Sequence, residues 1–98
     1  MAAGRPNRLL HISDRNSGRQ FLVDSGAFAS VFAASAHDKR TKSPTALFKA
    51  ANGSPIRTYG TRTMTLDFVS GRYTWDFVLS DVTQPLLGSD FLAHFALL

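Results

Sequence analysis

The residue with the clearest chemical potential is Asp24, which is followed directly by Ser25, Gly26 and Ala27. Ahead of it stand Phe21, Leu22 and Val23, an apolar run that predicts a buried strand, while Asp-Ser-Gly is turn chemistry. A carboxylate delivered by a strand to the start of a tight turn is held in place, and its surroundings set its affinity for a proton. Such a group suits acid–base catalysis. The other six acidic residues are Asp14, Asp38, Asp67, Asp76, Asp81 and Asp90, and there is no Glu. Asp14 and Asp38 fall in turn or loop sequence, Asp67 and Asp76 fall on outward strand faces, and Asp90 fits a helix cap. Asp24 alone asks for a functional account.

Other chemistries find little support. His11, His37 and His94 lack metal-ligand spacing and the chain has no Cys to join them, which argues against a metal site. Ser25 is not in a G-x-S-x-G elbow, and Gly53 and Gly60 belong to hairpin sequence rather than to a phosphate loop. The net charge of +4 is scattered. Its densest cluster, Lys39-Arg40-Thr41-Lys42 beside Asp38, has the composition of a solvated surface loop, so nucleic-acid binding is not expected. No apolar run approaches the ~20 residues of a membrane span, and the N-terminus lacks the apolar core of a signal peptide. The expectation is a cytoplasmic protein without a membrane partner.

The elements that would position Asp24 read mostly as strands. Residues 1–8 form a loose lead-in, and 9–98 one domain. Leu9 to Ile12 and Gln20 to Val23 flank a turn cluster at Asp14–Gly18, predicting a hairpin with Asp24 at its far end. Ala27 to Phe32 is apolar enough for a second buried strand or extended segment, and Ala33 to His37 adds a helical turn. Ala46 to Ala51 and Ile56 to Tyr59 flank Asn52-Gly53-Ser54-Pro55, a hairpin whose proline restricts it to an edge or free-standing position. Thr61–Val69 and Tyr73–Leu79 alternate around Ser70-Gly71. Met64, Leu66 and Phe68 share one face, and Tyr73, Trp75, Phe77 and Leu79 make a core stripe. Ser89 or Asp90 would cap a short helix from Phe91 to Phe95. The fold class is all-β and barrel-like.

Asp24-Ser25-Gly26-Ala27 after an apolar strand, with Pro85-Leu86-Leu87-Gly88-Ser89-Asp90-Phe91-Leu92 late in the chain, resembles the retropepsin-like aspartic proteases of retroviruses and gypsy-class retrotransposons. The similarity extends over residues 9–98. It implies a closed retropepsin-like barrel with a flap hairpin and one short C-terminal helix. It also implies an aspartic endopeptidase that processes an extended peptide or polyprotein without a cofactor. Asp24, Ser25 and Gly26 match the catalytic loop, with the Ser25 hydroxyl cross-linking two such loops. Ala27 and Phe28 match the segment that grips substrate, and Val31 a subsite wall. Ala51, Asn52 and Gly53 match the flap tip, while Thr83, Gln84 and Leu86 match a pocket-lining loop. Leu87-Gly88 matches an apolar-Gly pair beneath the catalytic loop.

Aspartic proteolysis uses two close carboxylates sharing one proton, and this chain has one D-S-G, so a second copy must supply the other. A homodimer is the expected partner. The size agrees, since a chain of 98 residues buries only about 60–65% of its unfolded surface and gains from association. A catalytically silent dimerising or peptide-binding module of the same fold is the alternative. The chain also departs from many retroviral members. They carry acidic residues where it has Phe28 and Ala29, and Arg where it has Ser89. The ion link those residues make is absent. The flap tip is not Gly-rich, and Met1 to Asn7 does not read as a strand.

Overall fold

The computed structural model describes residues 10–41, 46–49 and 55–97. Its strands are β1 (Leu10–Ser13), β2 (Gln20–Val23), β3 (Val31–Ala33), β4 (Ala46–Lys49), β5 (Pro55–Phe68), β6 (Gly71–Ser80) and β7 (Leu86–Leu87). Two six-residue helices, α1 (Ala36–Thr41) and α2 (Ser89–His94), complete the described elements. The strands form one sheet in the order β1-β2-β7-β3-β6-β5-β4. β2 and β7 run parallel, as do β3 and β6, and the remaining pairs are antiparallel.

Two predicted strands, Ile56–Tyr59 and Thr61–Val69, are one. β5 runs unbroken through 14 residues, with a register shift between Thr58 and Thr61. Gly60 sits at that shift with φ +84°, a conformation that costs glycine little and other residues more. The irregularity lets β5 serve two partners: its start pairs with β4, and from Thr58 onward it pairs with β6. Pro55 lies opposite Lys49, ahead of any β6 partner, so the β4–β5 hairpin projects from the sheet as the proline requires. Its predicted tip, including Ala51, Asn52 and Gly53, lies outside the described residues.

The core gathers Phe21, Phe32, Leu66, Phe68, Phe77, Leu79, Leu87, Phe91 and Leu92. Phe21 is its hub, with ring centroids 5.7 Å from Phe77, 5.8 Å from Phe68 and 6.1 Å from Phe32. Alternation in β5 and β6 supplies these side chains as expected, and Trp75 and Tyr73 pack against Phe91 of α2. β2 is less enclosed than its composition suggests. Phe21 is buried, while Leu22 and Val23 are half-buried, in a strand next to the exposed edge strand β1.

Two carboxylates that the sequence places in turn or loop segments are buried. Asp38 was expected at the start of a surface loop, yet it lies in α1 with 1% exposure. The Asp38 N–H donates to Ser35 Oγ at 3.0 Å and the Ser35 N–H donates to Asp38 Oδ2 at 2.9 Å, a reciprocal cap of α1. Arg62 Nη2 meets the other oxygen at 2.6 Å, which compensates the buried charge. α1 is thus fastened to β5.

Asp14 is the second. It opens the β1–β2 turn as predicted, but its carboxylate is enclosed and reaches across to β5. Burial alone would raise its pKa. The N–H of Asp67, the Ser17 hydroxyl and the N–H groups of Asn16 and Ser17 outweigh that and hold it below the ordinary 3.8. A lowered folded-state pKa gives stability that is complete above pH ~4 and is lost as pH falls through the folded value. The stability gap between the wild type and Asp14→Asn should therefore narrow on acidification from pH ~6 to pH ~2. Urea denaturation at each pH reads it, and a gap independent of pH would refute this account.

Candidate active site

β2 and β7 bring two remote segments together. Asp24 N–H donates to the Leu87 carbonyl at 3.0 Å, extending the parallel pairing of Val23 with Leu87. The chain then turns: Gly26 N–H donates to Asp24 Oδ1 at 3.1 Å, and Ala27 N–H donates to the Asp24 carbonyl at 3.1 Å. Asp24 is half-buried, while Ser25 and Gly26 are exposed. The carboxylate is therefore oriented by its own turn and still reachable from outside.

The segment 27–30 is a loop, not the strand its apolar composition suggested; only Val31–Ala33 pairs as a strand. Backbone bonds fasten the loop to the start of α2. The Ala27 carbonyl accepts Ser89 N–H at 2.7 Å and the Phe28 carbonyl accepts Asp90 N–H at 3.3 Å. Phe28 stands 88% exposed, and Ser30 is fully buried. Apolarity could not separate the two, because Ser30 is enclosed for its hydrogen bonds.

Those bonds revise the role of Asp90. The N-cap position of α2 is Gly88, and no side chain caps the helix. Asp90 instead points back into the fold, where its carboxylate accepts Ser30 Oγ at 2.7 Å, Ser30 N–H at 3.1 Å and Trp75 Nε1 at 3.0 Å. Ser30 Oγ in turn accepts Gly88 N–H at 2.9 Å. This network ties the loop after Asp24 to α2 and β6 without a cation. Trp75, read as a core residue, also donates here. Ser30→Ala should cost about 2–3 kcal/mol, because it leaves the Gly88 N–H without an acceptor and removes a donor from Asp90. Chemical denaturation measures this, and a loss below about 0.5 kcal/mol would show the network to be dispensable.

The remaining predicted residues fall nearby. Val31 is buried in β3 and pairs with Leu86 of β7, which is half-buried. Thr83 and Gln84 lie in the loop between β6 and β7, exposed and half-buried. Asp81 anchors the start of that loop, with Lys39 Nζ at 3.0 Å and the Tyr59 hydroxyl at 3.2 Å. The bond from Lys39 lowers the Asp81 pKa. Nothing in the sequence paired these residues, since three separate elements supply them. An open cleft of about 270 Å³ is lined by Arg19, Phe21, Phe32, Met64 and Leu66 among others, and among the described residues it contains none of those predicted for the site. Among the described residues no cluster of three His, Cys, Asp or Glu could hold a metal ion, and no helix is long and apolar enough to cross a membrane.

Comparison with known protein families finds no match, and none is found among curated proteins. Among solved structures, the chain is similar to the EIAV protease complexed with the inhibitor HBY-793, with a TM-score of 0.66 and 20% sequence identity. The match covers 97% of this chain and 91% of that one. The chain has a retropepsin-like fold: mostly strand in one sheet, with a short helix at its C-terminal end.

Proposed function

We propose that this protein is an aspartic endopeptidase that works as a homodimer, with water activated between two Asp24 carboxylates. The observation that carries it is the setting of Asp24. An accessible carboxylate is held by its own turn, on a loop hydrogen-bonded to a second segment, in a fold shared with a protease. A two-fold axis beside the Asp24 loop brings the two carboxylates together, where mutual repulsion leaves one proton between them. The ionised carboxylate takes a proton from water while the protonated one polarises the scissile carbonyl. Protons then pass to the leaving amine.

Gly26, Ala27 and the backbone of Phe28 run along the substrate, and Ser25 links the two loops. Val31, Thr83, Gln84 and Leu86 line side-chain pockets, and the β4–β5 hairpin with Ala51, Asn52 and Gly53 closes over the peptide. The substrate is an extended peptide with apolar side chains near the scissile bond, in a polyprotein of the gypsy-class retrotransposon type. The substrate cleft forms between the two copies.

Peptide cleavage by the wild type and by Asp24→Asn tests this, together with sedimentation over a concentration series with a statine-type peptide. A wild-type dimer that tightens with the peptide, and cleavage lost on substitution, are expected. A chain that stays monomeric with the peptide and cleaves nothing would leave a silent module of the same fold.

A further inference from the structure

We infer that Phe28 is the anchor by which two copies of this chain hold each other, an apolar contact beside Asp24. The inference rests on the proposed endopeptidase dimer and names what binds it. Leu10 is in register with Val23 and Val23 with Leu87, so the start of β1 lies at the same end of the sheet as Asp24. Leu10 is 61% exposed there, and Phe28, four residues past Asp24, is 88% exposed. Val69, 87% exposed, follows Phe68, whose carbonyl accepts a bond from Arg15 in the β1–β2 turn, so it lies at the opposite end. The Asp24 end therefore presents both an exposed aromatic and an exposed aliphatic side chain.

Phe28 is not exposed because its loop is loose. Its carbonyl is bonded to Asp90 N–H, that of Ala27 to Ser89 N–H, and Ser30 is buried two residues on. The backbone on both sides is fixed, so the ring is presented outward at little further entropic cost. A residue this close to Asp24 is close to any two-fold axis that pairs two Asp24 carboxylates. An isologous contact then uses it twice.

Electrostatics points the same way. The segments 24–30 and 87–90 contain no Lys, Arg or His, and the Asp90 carboxylate is already engaged by Ser30 and Trp75. No ion pair can form between these segments across the axis, and two copies at +4 each repel over their whole surfaces. Apolar burial of Phe28 and Leu10 supplies the attraction instead.

Sedimentation velocity on the full chain measures the dimer dissociation constant for the wild type, Phe28→Leu and Phe28→Ser at about 0.1 and 1 M NaCl. Phe28→Ser is expected to raise the constant about 100-fold, because two rings leave the interface, and Phe28→Leu less than about 10-fold. The wild-type dimer should hold or tighten with salt. An unchanged constant in Phe28→Ser overturns the inference, and a raised KM for peptide beside it gives the ring to the substrate. A wild-type dimer that weakens with salt also overturns it. Because this readout needs no turnover, it is separate from the enzyme proposal, which fails if Asp24→Asn still cleaves.

Discussion

Replacing Asp24 by Asn is expected to lower peptide cleavage by about a thousand-fold or more while leaving the fold unchanged. Asn retains a side-chain oxygen that can accept the Gly26 N–H, now bonded to Asp24 Oδ1 at 3.1 Å, so the turn persists. What disappears is the ability to hold and release a proton. In the dimer both copies lose it together, so neither a base for water nor an acid for the carbonyl remains. Association should not weaken, since two amides meeting on an axis lack the repulsion of two carboxylates. A kinetic assay combined with sedimentation separates the causes. Loss of cleavage in a variant that still dimerises assigns the chemistry to Asp24, and retained cleavage removes it from the mechanism.

Gly88→Ala should be among the most damaging single substitutions for stability. Gly88 has φ −91°, so backbone freedom is not the reason for glycine here. Space is. A Cβ at this position would stand 2.6 Å from the Ala29 carbonyl oxygen, 2.7 Å from its carbon and 2.9 Å from the Ala27 carbonyl oxygen. All three are backbone atoms of the loop that follows Asp24, and the Ala27 oxygen is already committed to Ser89 N–H. No rotamer change relieves the clash; the loop or the start of α2 must move. A cost of about 3 kcal/mol follows, from a total of roughly 5–15 kcal/mol for a domain of this size. The melting temperature should fall by roughly 12–24 °C. Gly26→Ala is the comparison, because its Cβ would meet only Asp24 Oδ1, at 3.4 Å. Equal melting temperatures for the wild type and Gly88→Ala would show that this approach is not tight in solution.

The strand pattern, the hairpin at Pro55 and the turn at Asp24 were legible because each depends on neighbours in sequence: alternation, a proline, an Asx turn. Three carboxylates have partners that their sequence neighbours do not show, for the opposite reason. Asp14, Asp38 and Asp90 all look like turn or cap residues locally, and each is drawn inward by a distant partner: Asp67 N–H, Arg62, or Ser30 with Trp75. Segment 27–30 failed as a strand on similar grounds. Most of its hydrogen bonds go to residues 88–90, only the Ser30 carbonyl reaches β6 through Val78 N–H, and its apolar side chain at Phe28 faces out. Sequence could place Asp24 on a turn. It could not show what holds that turn to the rest of the molecule.

The bonds from Ser30 to Asp90 cross 60 positions of chain, and this separation sets an order of events during synthesis. Translation delivers Asp24 early and Asp90 late. Until residues 87–90 leave the ribosome, Ser30 has no carboxylate to bind, and the Leu87 carbonyl that takes Asp24 N–H does not yet exist. Local hairpins can form in the meantime, because their contacts are short-range and close quickly. The Asp24 loop must wait for residues 87–90. A nascent chain therefore carries its acidic residue unformed, and a precursor in which residues 86–92 are cut away or held elsewhere would keep the proposed activity off.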